Sequence, residues 1–254
     1  MKNKNVLLVM ATLPMILLSS CKPAAKEMTS EDAASAIDAV VAKYAEGCPQ
    51  KATVYSSPSD YDHGNFTATI DRGHYYHYHT FAMLILIPLV SDEYYYEKDG
   101  LYYHIHTSAS RNVHEIISKE AFDEGMQKGE DFIWKDRAGR MLSLLKDGTS
   151  AEYEGEFSYK YTTTGEGQIS LVTDEKWTVK ETSSEQEVDV AKSKHQSINF
   201  KDNLPYDWIV ETKSGNDKSK YKTSFDWKVC EETYPSNLTS VGSDQTSISW
   251  VDRR

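Results

Sequence analysis

The sequence predicts an α+β protein: a single curved antiparallel sheet, an open half-barrel, with an N-terminal helix and a central helix pair on one face. Three observations carry this. Apolar residues recur at helical spacing in two regions, near 30–46 and 113–146, and alternate at period two elsewhere. The order is helix, strands, helix pair, strands, which suits an α+β domain better than alternating βα units. The chain also holds 17 Tyr and 5 Trp, large groups that favour pleated, half-buried strands.

Residues 1–20 stand apart from the fold. Lys2 and Lys4 precede the apolar run 6–18, and Leu18-Ser19-Ser20-Cys21 follows. A short apolar run ending in small residues reads as a secretory signal, not a spanning helix. Residues 21–29 form a short polar tether. Thr29 and Asp32 then fit a capping box, and Ile37, Val40, Val41 and Tyr44 lie on one helical stripe. Gly47 and Pro49 stop this helix.

Strand signals begin near residue 52. Phe66, Ala68 and Ile70 alternate with Thr67, Thr69 and Asp71. Residues 74–90 read as one long extended segment ending in the apolar run 81–90, FAMLILIPLV. As a strand that run is buried on both faces, with Pro88 at an edge or bend. Asp99-Gly100 is a strong hairpin signal between 93–98 and 101–107. It pairs Lys98 with Leu101, Tyr95 with His104, and Glu93 with His106. His104 and His106 then share a polar, solvated face with Glu93, Glu97 and Tyr102. Tyr94, Tyr96, Tyr103 and Ile105 form the apolar face.

Val113, Ile116, Ile117, Ala121 and Phe122 read as one helix, which Gly125 and Gly129 break. A second helix covers about 130–146. Strands return with Tyr153, Phe157, Tyr159 and Tyr161, and with Tyr221, Thr223, Phe225, Trp227 and Val229, each set alternating with polar residues. Weaker strands fall near 168–181, 186–191, 197–201 and 207–212, with turns at 165–167 and 215–217. The domain spans 30–232, and a Ser/Thr-rich tail covers 233–254.

The segment around Cys21 resembles the bacterial lipoprotein signal, in which an aliphatic residue and two small ones precede a cysteine. The resemblance implies that Cys21 becomes the N-terminus and carries the lipid, since two acylation signals anchor stably where one does not. It places the protein on the extracytoplasmic side of a bacterial cell envelope. The order of elements resembles the LolA-like lipoprotein and lipoprotein-carrier family. In that family a curved half-barrel covered by helices holds acyl chains, so the resemblance implies a lipid-binding cavity.

Composition narrows the partners. The formal charge is −11, and losing Lys2 and Lys4 makes it more negative. Such acidity argues against nucleic acid. No nucleophile elbow, P-loop or dinucleotide fingerprint is present, and His114-Glu115 lacks the second histidine of a zinc-protease motif. With Cys21 lipidated, Cys48 and Cys230 remain as a candidate disulfide in an exported protein.

Seven of the eight histidines lie between 63 and 114. On strands, His77 and His79 point to one face, as do His104 and His106. Four imidazoles on a shared face would suit a divalent transition metal. The sequence thus predicts a membrane-anchored, non-enzymatic lipoprotein, without a cofactor, that binds an apolar or amphipathic ligand such as lipid. The alternative is a metal-binding lipoprotein using His77, His79, His104 and His106.

Overall fold

A computed structural model describes residues 24–60, 64–84, 87–108, 112–147, 150–183, 186–234 and 249–252. Residues 1–23, with the expected signal segment and Cys21, and most of the expected C-terminal tail lie outside the described residues.

The chain runs β1 (Lys26–Glu27), α1 (Ser30–Ala45), β2 (Lys51–Asp60), β3 (Gly64–Asp71), β4 (Tyr75–Leu84), β5 (Ile87–Lys98), β6 (Leu101–Ser108) and β7 (Asn112–Ile117). One helical stretch follows: α2 (Lys119–Glu130), a π-helical segment (Asp131–Ala138) and α3 (Gly139–Asp147). Then come β8 (Gly155–Thr163), β9 (Gln168–Ser183), β10 (Gln186–Lys201), β11 (Leu204–Ser214), β12 (Asp217–Asp226) and β13 (Ser249–Asp252).

The strands form one unclosed sheet in the order β1-β8-β9-β10-β11-β12-β2-β3-β4-β5-β6-β7-β13. Pairing is antiparallel except between β13 and β7. Two runs of consecutive hairpins are joined where β12 pairs with β2. The protein is therefore mostly antiparallel sheet with a few helices.

Local chemistry explains the boundaries. The Thr29 hydroxyl accepts from the Asp32 N–H and donates to its carboxylate, starting α1. Gly47 follows at φ +96°, where a side chain would be strained. Asp99 (φ 55°) and Gly100 (φ 77°) make the tight β5–β6 turn, and the predicted pairing holds residue for residue. Asp202 and Asn203 do the same between β10 and β11, both at positive φ.

Three expectations fail for identifiable reasons. Residues 74–90 are two strands that reverse between Leu84 and Ile87, not one segment. The apolar run becomes the end of the β4–β5 hairpin, and Leu89 and Val90 are exposed there. Residues 112–117 extend the sheet as β7, and the helix starts only at the Ser118 cap, whose hydroxyl accepts from Ala121 N–H. Period alone cannot separate a short apolar strand from a helix start. Gly125 and Gly129 do not break the helix either. They let it approach the aromatic rings of the sheet.

The cross-strand register places Val54, Phe66, Ala68, Ile70, Tyr76, Tyr95, Leu171, Ile198 and Phe225 on one sheet face. They pack in a single core with Phe122, Met126, Ile133, Trp134, Met141 and Leu145 of the helical stretch. In the π-helical segment, Trp134 stacks on Tyr44 (4.4 Å, 8°) and its carbonyl accepts from the Tyr44 hydroxyl at 2.9 Å. Phe132 meets Phe66 edge-on at 5.3 Å, and the buried Arg137 guanidinium lies 5.1 Å from both rings.

A smaller core occupies the opposite face: Tyr75, Tyr94, Tyr96 and Ile105, with Tyr103 and Cys230. The segment after β12 covers it. The Tyr75 hydroxyl donates to the Thr233 carbonyl at 2.7 Å, and Tyr234 packs edge-on against Tyr75 and Tyr96.

Candidate functional site

Strands β9 to β12 line an open cavity of about 530 Å³ on the main-core face of the sheet. Alternation along each strand builds its wall. Trp177 and Val179 come from β9, Lys192, Lys194 and Gln196 from β10, Trp208 and Val210 from β11, and Tyr221 and Thr223 from β12. Arg140 reaches it from α3 and Tyr153 from the loop before β8.

The large rings are fixed in place. Tyr153 stacks on Trp177 at 4.3 Å and 11°. The buried Glu175 holds this loop, because its Oε1 accepts the backbone N–H of both Glu152 and Tyr153 at 2.7 Å. Trp208 donates from Nε1 to Gln196 Oε1 at 3.0 Å, and Arg140 lies 5.0 Å from its ring. Aromatic walls whose rotamers are already set lose little freedom when a ligand enters.

Charge in the cavity runs against the whole molecule. The chain is acidic, yet the cavity face carries Arg140, Lys192 and Lys194 against the single lining carboxylate of Glu152. Lys213 also borders the cavity, but it pairs with Ser193 and its side chain leaves the opposite sheet face. Lys194 contacts Glu152 at 2.6 Å, and its hydrogen bond holds that carboxyl below the ordinary range. Lys192 reaches Glu181 at 2.7 Å. Apolar area beside several cations suits a molecule with an apolar body and an acidic head.

The four predicted histidines do not form one site. The register pairs His77 with Tyr94 and Tyr94 with Ile105, while Tyr95 pairs with His104. His77 and His79 therefore point to the smaller-core face, and His104 and His106 to the main-core face. The face predicted to be polar and solvated is the one that packs against α2. His104 stacks on Tyr95 at 4.6 Å, with Nε2 3.4 Å from Glu93 Oε1 and Nδ1 3.8 Å from Glu115 Oε2. The His104 imidazole, aided by the Tyr95 hydroxyl at 3.2 Å, outweighs burial and keeps the Glu93 carboxyl below its usual range.

On the other face His77 and His79 meet Asp92 instead. His77 Nε2 is 2.9 Å and His79 Nδ1 2.8 Å from the same Asp92 oxygen. Burial alone would raise the Asp92 carboxyl, but these two imidazoles hold it below the ordinary carboxylate range. The sequence reading missed Asp92 because the pairing of His79 with Asp92 depends on the reversal between Leu84 and Ile87.

Cys48 and Cys230, the expected bridge, are free thiols in the structure. Cys48 belongs to the main core and Cys230 to the edge of the smaller one. Burial pushes the Cys48 thiol up to about 12 and that of Cys230 up to about 11.

No protein-family model matches the chain, and no curated protein matches it in sequence. The cavity residues were missed for lack of a motif. Their one local signal is the Trp-x-Val spacing at Trp177–Val179 and Trp208–Val210, which sets a ring and a branched side chain on one strand face.

Proposed function

We propose that this protein is a lipid-anchored binding lipoprotein of a bacterial cell envelope, and that it holds an amphipathic ligand with an acidic head between sheet and helices. The carrying observation is the cavity in which Trp177, Trp208, Val179 and Val210 stand beside Arg140, Lys192 and Lys194. The apolar residues favour an acyl or ring body through buried area. The cations favour a carboxylate or phosphate head through charge-assisted hydrogen bonds.

In this reading the open sheet curves as a half-barrel, and the helices close its main-core face, as the resemblance to LolA-like proteins implies. Cys21 carries the lipid that holds the protein at the membrane. The role is binding rather than catalysis, and no cavity residue is assigned a reacting part.

The test is a matched pair of ligands. Purified protein is titrated with a long-chain fatty acid and with the alcohol of the same chain, following Trp fluorescence. The acid binds and the alcohol binds about tenfold or more weakly, a difference of one charge-assisted contact. Raised salt weakens the acid alone. Failure of both ligands, together with native mass spectra free of lipid, overturns the proposal.

A further inference from the structure

We propose that His77, His79 and Asp92 form a three-ligand site for a divalent transition-metal ion such as Zn²⁺. The site lies on the opposite sheet face from the cavity and stands independently of the binding function proposed above.

Geometry carries it. One potential ligand atom from each residue lies within 4.8 Å of the others. His77 and His79 are two apart on β4, so both rings leave the same face, and Asp92 pairs directly with His79 across to β5. Both imidazoles converge on one carboxylate oxygen at 2.8–2.9 Å. A tetrahedral zinc with bonds of about 2.0–2.2 Å holds its donors roughly 3.4 Å apart. Each imidazole–carboxylate separation needs to open by only about half an ångström to admit the ion.

The surroundings fix the rings. His77 stacks on Tyr94 at 4.0 Å and 6°. Its other nitrogen, Nδ1, faces the Thr233 hydroxyl at 3.5 Å. A metal on Nε2 leaves the ring proton on Nδ1, where that oxygen can accept it, the usual outer partner of a ligating histidine. All three side chains are partly exposed, His77 at 14%, Asp92 at 21% and His79 at 38%, so solvent can deliver the ion and fill a fourth position. Two neutral nitrogens and one carboxylate select a borderline ion over calcium or magnesium.

Other His–carboxylate contacts among the described residues provide contrast. His195 pairs with Asp174 and His74 with Glu97, while His104 meets Glu93 and Glu115 through different ring nitrogens, so its two carboxylates do not share one ligand atom. None of these gathers three ligand atoms within reach of one ion among the described residues.

The test is calorimetry and native mass spectrometry of metal-stripped protein titrated with Zn²⁺ at neutral pH. One ion binds per chain, and the thermal midpoint rises with zinc. Asp92→Asn keeps the shape and removes the charge; His79→Ala removes an exposed ring. Each weakens zinc binding by about tenfold or more. His106→Ala and His195→Ala leave it unchanged. Melting curves without zinc establish that each variant is folded, and if either ligand variant melts with the wild type yet binds zinc as tightly, the assignment is overturned. No binding to the wild type, or loss on His106→Ala alone, overturns it as well.

Discussion

Gly125 in α2 faces Tyr95 in β5 so closely that a Cβ on the glycine would stand 2.2 Å from the ring's Cε1. One turn later, a Cβ on Gly129 would stand 2.5 Å from Tyr76 Cδ2. Both rings are buried in the main core. The absence of two side chains is what lets the helix pack against the aromatic sheet.

The consequence is a sign reversal in a common stabilising change. Gly→Ala in an exposed helix gains about 1 kcal/mol. Here the methyl must displace a buried ring, and overpacking costs about 1–3 kcal/mol or more. Gly125→Ala and Gly129→Ala should each lower stability in urea denaturation, with an unchanged m-value. A neutral or stabilising result at both positions would show that the helix does not pack this closely.

These two glycines mark where sequence reading stopped. Helix α1, the Asp99-Gly100 hairpin and its register were legible because each is set by neighbours along the chain. The β4–β5 reversal was not, because a continuous apolar run hides a turn inside it. With that reversal misplaced, the two His-x-His pairs could be put on one face although register places them back to back. Strands β9 to β11 were legible only in pieces. In β10, Lys192, Lys194 and Gln196 interrupt the apolar pattern between Val190 and Ile198, and these same residues line the cavity. Polar residues on an inward face weaken the strand signal and build the site.

Acidification gives a second prediction. Glu93 is stabilised in its charged form by the His104 imidazole, and Asp92, despite burial, by His77 and His79. Their folded carboxyls therefore titrate below the values of the unfolded chain, 4.5 for Glu93 and 3.8 for Asp92. The stability they contribute is present above those values and is lost as pH falls through the lower folded ones. The denaturation midpoint should drop as pH falls below about 4.5. Glu93→Gln should cost stability at pH 7, cost little in strong acid, and flatten this limb. An acid limb of unchanged steepness would remove Glu93 from the account.

Glu175 links stability to the cavity. Its carboxylate is buried, 6% exposed, and its Oε1 takes two backbone N–H groups. Hydrogen bonds to a charged acceptor contribute about 1.5–3 kcal/mol. Glu175→Ala should therefore destabilise by roughly 2–3 kcal/mol, with Glu175→Gln intermediate because the amide oxygen still accepts. The same loop presents Tyr153 to Trp177, so releasing it should also weaken binding of the acidic amphiphile. Tyr153→Ala separates the two effects: Tyr153 is 44% exposed, so its loss should cost little stability but the same affinity. If Glu175→Ala loses stability while the folded fraction still binds as tightly as wild type, Tyr153 forms no part of the ligand's wall, and the apolar contact must come from Trp177, Val179, Trp208 and Val210.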